Sequence, residues 1–275
     1  MPLSTDQWHA RYARQAGWTT QLRRYLFERG NIQSAKRVLD CGSGTGALET
    51  TPGGLHSGFA GTSFGLDINP NSLAYAKSID TKTPWLQGDC LRLPFKTGGF
   101  DIAFCHFLLL WVADPLKALQ EMRRVTRAGG FVIALAEPDY GGRIDYPPEL
   151  EVLASWQKTS LRRQGANPTI GRRLGWLFRQ AGLEDVQTGV LGAQWQGAPA
   201  CDEIESEWEV LFSDMQTLLG VEDEARWLAD YEKLKRLEES AWQNGERVLY
   251  VPTFYAIGIK PVKPGSKPDS NVVKF

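Results

Sequence analysis

The stretch VLDCGSGTGALE, Val38 to Glu49, sets three glycines at alternate positions directly behind an acid. Gly42, Gly44 and Gly46 permit a tight turn and let a ligand approach bare backbone. The apolar run before them reads as a strand. The residues after them open a helix, whose first N–H groups have no partner within the helix itself. Pyrophosphates use such a turn, and Gly42, Gly44 and Ala47 satisfy the GxGxxA pattern of dinucleotide sites. Asp40 argues for a different ligand, because a carboxylate at the turn repels a pyrophosphate and suits a cationic ammonium. Two more acids fall at the ends of the next two expected strands, Asp67 in GLDINP and Asp89 in QGDC. Asp67 lies 21 residues beyond Gly46, where an acid takes ribose hydroxyls. Asp89 is placed to accept from the exocyclic amine of an adenine. Three acids at successive strand ends fit a ligand with an amine, a ribose and an adenine, and no phosphate.

Hydrophobic periodicity gives the elements that must hold these acids in line. Residues Ser4 to Arg29 read as helix, capped by Ser4 or Thr5 and divisible at Gly17. Strands are expected at 35–42, 59–67, 84–90, 100–110, 131–139, 184–191 and 253–261. Helices follow from Thr45, stopping at Pro52, and from the Asn69-Pro70 start. Another runs from Asp114, with Leu116, Leu119, Met122 and Val125 on one face, to the Gly129-Gly130 pair. A last one covers Arg172 to Leu183, and EPDYGGRIDYP, Glu137 to Pro147, reads as a loop, either a plain run of turn residues or one side of a binding site. Alternating strands and helices imply a doubly wound parallel α/β sheet. An excursion over 192–251 carries two helical stripes: Ile204, Trp208, Leu211, Met215 and Leu218, then Leu228, Tyr231, Leu234 and Leu237. The organisation expected is a helical lid over 1–35, a core of 36–191 and 252–262, a helical cap over 192–251, and a flexible tail over 263–275.

VLDCGSGTG, GLDINPNSL, GDCLRLPF and FDIAFCHFLLLWVADP resemble, in order and spacing, the successive motifs of class I S-adenosylmethionine-dependent methyltransferases. LQEMRRVTRAGGFVIALAEPD resembles the family's stretch through its fifth strand, so the likeness covers residues 37 to 139 and less sharply the remainder. The resemblance implies a seven-stranded Rossmann-like core and a methyl transfer that turns S-adenosylmethionine into S-adenosylhomocysteine. By position it implies that Asp40, Gly42, Ser43, Gly44 and Gly46 cradle the methionine end of the cofactor. Asp67 would bind the ribose and Ile68 pack on adenine, with Asp89, Cys90 and Leu91 beside the base. His106 lies where the fourth strand opens towards the methyl group. It is the first choice for a general base, followed by His9, Asp139 and Tyr140. RYARQAGWT resembles a helix that closes over the cofactor in members acting on small molecules, which makes Tyr12, Gln15 and Trp18 contacts. Tyr12 is the candidate to offer its ring face to the sulfonium.

Bulk composition narrows the partners. A net charge of -1 and a pI near 6.3 do not suit a polyanion, so no nucleic acid is expected. Four cysteines without CxxC spacing and three histidines suggest neither a metal site nor a disulfide framework. A reducing cytoplasm fits best. No apolar signal-peptide core stands near residue 1, and the longest apolar run, Phe107 to Ala113, is too short to span a bilayer. Six of the ten tryptophans, Trp156, Trp176, Trp195, Trp208, Trp227 and Trp242, follow the fifth strand, and an aromatic cap suits an apolar acceptor. The expectation is in-line methylation of a small, apolar or aromatic organic molecule. The rivals are a methyltransferase for protein or RNA, a nicotinamide-dependent oxidoreductase, and a cofactor-binding regulator without catalysis. The residues do not choose between O, N, C and S acceptors, or give an oligomeric state.

Overall fold

The computed structural model describes residues 4–50, 55, 59–192, 199–216 and 221–262. The expected helix stop at Pro52, Trp195, Leu218 and the tail over 263–275 lie outside the described residues. In chain order the strands are β1 (Arg37–Cys41), β2 (Thr62–Asp67), β3 (Trp85–Gln87), β4 (Phe100–Cys105), β5 (Thr126–Pro138), β6 (Ile144–Tyr146), β7 (Glu184–Leu191), β8 (Val248–Tyr250) and β9 (Thr253–Ile259). The helices are α1 (Thr5–Trp18), α2 (Thr20–Arg29), α3 (Ala47–Thr50), α4 (Pro70–Ile79), α5 (Pro115–Val125), α6 (Glu151–Arg163), α7 (Leu174–Gln180), α8 (Cys201–Gln216) and α9 (Val221–Gln243). The chain forms two compact units. One comprises Leu3–Glu137, Ile170–Leu191 and the chain from Thr253; the other comprises Pro138–Thr169 and Gly192–Pro252. None of the described helices is long and apolar enough to cross a membrane.

In the first unit seven strands form one sheet in the order β3-β2-β1-β4-β5-β9-β7. β1 lies parallel between β2 and β4, with Asp40 opposite Gly65 on one side and Phe104 on the other. β2 and β3 are also parallel, with Asp67 opposite Gln87. The pattern of alternation implied parallel pairing throughout, but β7 and β9 run antiparallel, Leu191 opposite Thr253. A single crossover helix restores strand direction. Here α8 and α9 both intervene, and the chain returns in the opposite sense.

Local chemistry starts and stops the elements. Ser4 and Gln7 make a reciprocal capping box on α1. The Asn69 side chain accepts two N–H groups of α4, and Asp114 caps α5, each ahead of a proline at the first helical position. α5 buries Ala118, Leu119, Met122 and Val125 and ends there, four residues before the expected glycine pair. Gly130 serves strand approach instead: a Cβ on it would stand 2.5 Å from the Asp101 carbonyl. β4 also ends early, at Cys105. His106–Leu110 form a turn in which Phe107 takes φ +52°.

Two packed layers flank the strands. Leu22, Leu26 and Phe27 of α2 bury against Val38, Ile102, Phe104, Ile133 and Leu135, and the rings of Phe27 and Phe104 meet edge to face at 5.4 Å. Trp85 packs with Leu73 and Ala76, and its indole N–H donates to the Asp80 carbonyl at 2.8 Å. Its ring lies across two bare backbones. A Cβ on Gly65 would be 2.2 Å from it, and one on Gly46 would be 2.7 Å from it.

The second unit has its own core. β6 and β8 pair antiparallel, with Asp145 opposite Leu249. The stretch read as loop therefore contains a strand; three residues carry no visible period, and the partner strand lies far along the chain. Leu150, Leu153, Trp208, Trp227, Tyr231 and Leu234 pack together, with ring centroids of Trp208 and Trp227 at 5.0 and 5.2 Å from Tyr231. A buried polar chain ties the β6–β8 pair to α9. The Trp208 indole N–H donates to Glu238 at 2.6 Å, Arg247 pairs with Glu238 at 2.8 Å, and Asp145 accepts from Arg247 at 2.6 Å and Arg143 at 2.7 Å. Trp208 and Trp227 therefore pack against their own helices, which explains much of the tryptophan count without an acceptor.

Gly65→Ala is expected to cost about 1–3 kcal/mol, because Trp85 must shift to admit the methyl group. A urea midpoint equal to that of the unsubstituted protein would show that Trp85 yields freely.

Candidate functional site

The ends of β1, β2 and β3 lie side by side, and the glycine turn is hooked onto them. The N–H groups of Gly42 and Ser43 both donate to the Leu66 carbonyl, at 2.7 and 3.0 Å. Gly42, Gly44 and Gly46 take φ of +78°, +54° and +75°, a region that L side chains avoid. Asp67 accepts the Gly44 N–H on one oxygen and the Asn69 N–H on the other, each at 2.8 Å. Asp89 accepts the Leu91 N–H at 2.8 Å.

A cavity of about 260 Å³ opens here. It is lined by six of the residues expected from sequence, Gly42, Asp67, Ile68, Asp89, Cys90 and Leu91. Leu66, Gly88, Leu108, Trp111, Val112 and Ala113 complete it. The last four belong to the segment after β4, whose apolar run reads as a longer strand and so hides its turn. Ile68 and Trp111 keep open apolar faces, 67% and 47% exposed. Among the described residues, no lysine or arginine lines the cavity. Two strand-end acids, open apolar surface and no cationic side chain fit a nucleoside without phosphates.

Asp40 does not open onto this cavity. It is 1% exposed and hydrogen-bonds Glu49, itself 1% exposed. Burial, then the neighbouring Glu49 charge, holds Asp40 well above the usual carboxylate range. Burial likewise pushes Glu49 up to about 7, with Arg23 pulling the other way. Two buried carboxyls side by side disfavour ionisation of both, so a proton shared between them suits the pair. Glu49 went unnoticed in the sequence, although an acid in the first turn behind a glycine loop was the available signal.

α1 lies on the glycine turn from the other side. His9 Nδ1 is 2.9 Å from the Thr45 hydroxyl, and the His9 ring rests 4.8 Å from that of Tyr75. The Tyr12 ring covers Gly44, 3.8 Å from where a Cβ would stand, and stacks on Trp8. Burial first, then Asp67, raises the Tyr12 phenol, so it stays protonated. Gln15 is half-buried and Trp18 is 62% exposed; neither lines the cavity. Ser43 is buried within the turn.

His106 stands just past β4. Its Nε2 is 3.0 Å from the Thr19 hydroxyl, which also accepts from Arg23 at 2.7 Å. Burial, and secondarily Arg23, pushes His106 down to about 3. It is a neutral ring at ordinary pH and a weak base. The three buried thiols are held protonated, since burial raises Cys90 to about 11 and Cys41 and Cys105 well above their usual value. Asp139 and Tyr140 belong to the second unit. There Asp139 accepts the Gly141 N–H at 2.9 Å, and the Tyr140 N–H donates to Pro168 at 2.8 Å.

Comparison with known proteins gives the same reading. A family model described as a methyltransferase domain matches residues 39–134. The chain is 30% identical over 183 residues to demethylmenaquinone methyltransferase of Geobacillus kaustophilus, covering 59% of this chain and 76% of that enzyme. It is 31% identical over 174 residues to the malonyl-acyl-carrier-protein O-methyltransferase of Erwinia pyrifoliae, covering 62% and 60%. Phosphoethanolamine N-methyltransferase 2 of Haemonchus contortus, solved with S-adenosylmethionine, shares the fold with a TM-score of 0.53 at 18% identity, covering 88% of this chain and 52% of that one. The match spans about half the length of other curated relatives, 51% and 56%.

The buried acid pair makes stability depend on pH. Unfolded, Glu49 titrates near 4.5; folded, near 7. Between these values the folded chain holds a proton that the unfolded chain has lost, so the contribution is complete below about 4.5 and is lost as pH rises to about 7. The urea midpoint should therefore fall across that window, and Glu49→Gln should flatten the slope. An identical slope in both proteins would show that the acids do not share a proton.

Proposed function

This chain belongs to the class I S-adenosylmethionine-dependent methyltransferases, and from that premise we propose that it methylates a small organic acceptor. It is an S-adenosylmethionine-dependent enzyme; the acceptor and the residue roles are our reading. The observation that carries them is the cavity bounded by Asp67, Ile68, Asp89 and Trp111. When bound, S-adenosylmethionine supplies a methyl group made electrophilic by its sulfonium. In our reading Asp67 accepts the ribose hydroxyls, and Ile68 packs on adenine with Asp89, Cys90 and Leu91 at its edge. The left-handed turn of Gly42, Gly44 and Gly46 presents backbone to the methionine end, with Ser43 inside it and α1 as the lid. Asp40 acts from beneath, through the charge it shares with Glu49. The Tyr12 ring, already over Gly44, offers a cation–π contact of about 0.5–2 kcal/mol.

The chain's own contribution is orientation and exclusion of water, which can supply most of the acceleration of an in-line displacement. His106 serves as a neutral, hydrogen-bonded wall held by Thr19. A ring pushed down to about 3 is a poor general base at neutral pH. This suits acceptors that are nucleophilic without help from the protein, such as amines, thiolates, phenolates or stabilised carbanions. The relatives named for demethylmenaquinone and for malonyl-acyl-carrier-protein support an organic acceptor, and the near-zero net charge argues against a polyanionic one. The four cysteines are free, and a cytoplasmic setting goes with this reading.

Calorimetric titration should show binding of S-adenosylmethionine and S-adenosylhomocysteine and none of NADH. Asp67→Ala should weaken S-adenosylhomocysteine by about 1–3 kcal/mol, leaving the ribose without its charged acceptor; an unchanged Kd removes Asp67 from the site. A screen of small phenols, quinones, amines and thiols with methyl-labelled cofactor should give a labelled product. Label appearing only in added RNA or protein would overturn the small-molecule assignment.

A further inference from the structure

Glu137 lies in the buried run of β5, one residue from the strand's end, and nothing in the reaction described above uses it. It is 0% exposed. One carboxylate oxygen accepts the N–H groups of Leu108 at 3.0 Å and Leu109 at 2.8 Å; the other accepts Leu110 at 3.2 Å. The neighbouring Ala136 carbonyl takes the Phe107 N–H at 2.9 Å. Four consecutive N–H groups of the segment after β4 are thus gathered by two adjacent buried residues near the end of β5, Ala136 and Glu137. The segment needs holding, since Phe107 sits at φ +52°, a conformation that a bulky residue rarely adopts. Burial pushes the Glu137 carboxyl up to about 8, and the three N–H groups draw it back down. Immediately after this anchor, Leu108 presses on the glycine turn, where a Cβ on Gly42 would stand 2.7 Å from it. Leu108, Trp111, Val112 and Ala113 then form one wall of the cavity.

We propose that Glu137 is a positioning residue for cofactor binding: its buried carboxylate draws in the turn after β4 and sets Leu108 and Trp111 at the height where they close the cavity. Glu137 touches no ligand in this account and acts through Leu108, Leu109 and Leu110. The inference rests on reading the cavity as the cofactor pocket. Glutamine keeps the size of the side chain but replaces one acceptor oxygen with a donor, so it cannot serve all three N–H groups.

The test measures S-adenosylhomocysteine affinity by calorimetry well below the melting transition, on the unsubstituted protein, Asp67→Ala and Glu137→Gln. A group that only stabilises the fold lowers Tm and leaves the Kd of the folded protein unchanged. A positioning role raises that Kd by about ten- to hundredfold while the far-ultraviolet circular dichroism stays the same. If Asp67→Ala weakens binding and Glu137→Gln leaves Kd within about twofold, the positioning role is overturned while the pocket reading stands. If Asp67→Ala has no effect, or the unsubstituted protein does not bind, the pocket reading fails and takes this one with it. Should Glu137→Gln not fold, Glu137→Asp replaces it, a carboxylate withdrawn by one methylene. Should neither fold, amide hydrogen exchange on the unsubstituted protein decides. The Leu108–Leu110 amides should slow when S-adenosylhomocysteine binds, and unchanged exchange would overturn the proposal.

Discussion

The register between β1, β2 and β4 is the constraint on which the site depends. Cys41 lies opposite Leu66 on one side and Cys105 on the other, so all three strands stop at one level. The glycine turn can then donate two N–H groups to a single carbonyl, Leu66, before it rises. A one-residue slip would turn Asp67 to the other face of the sheet and remove it from Gly44. The turn is fixed from three directions at once: Leu108 against Gly42, Tyr12 over Gly44 and Trp85 under Gly46. A Cβ would collide at Gly42 and Gly46, and at Gly44 it is the left-handed backbone, φ +54°, that favours glycine.

The electrostatics around this turn are organised by burial. Asp40, Glu49, Glu137 and the thiols are all pushed towards their neutral forms, and so is His106. Asp67 and Asp89 stand at the cavity edge and accept backbone N–H groups. Buried Glu137 therefore holds backbone, while Asp67 and Asp89 line the cavity. In this arrangement catalysis relies on placement more than on proton transfer, which agrees with an electrophile carried by the cofactor.

The second unit illustrates how composition can mislead. Its tryptophans are rich enough to suggest a binding surface, yet Trp208 and Trp227 stack on Tyr231 and Phe212. A small helical unit has little apolar area available, and large aromatic rings supply it with the fewest residues. The acids that follow β5 are similarly engaged: Asp145 pairs with two arginines and Asp139 caps a turn.

The sequence by itself determined the order of strands and helices in the sheet, the glycine turn, and the strand-end acids at 67 and 89. Those features are local: a buried strand is a continuous apolar run, a cap is a short polar signature, and a strand-end ligand group lies within a few residues of a break. Of the cavity residues, Gly42, Asp67 and Asp89 were readable on those grounds, and Ile68, Cys90 and Leu91 through the family resemblance. Only the tertiary structure decided what depends on distant partners. The antiparallel return of β9, the short β6–β8 pair, and the end of α5 at Val125 all follow from contacts made far along the chain. The same holds inside the site. Asp40 is buried beside Glu49 and does not line the cavity, and His106 loses its basicity to burial beside Arg23. Trp111 enters the wall because Glu137, on another strand, bends the chain before it. A side chain's charge and direction depend on its surroundings in space, and a linear pattern records only its neighbours in sequence.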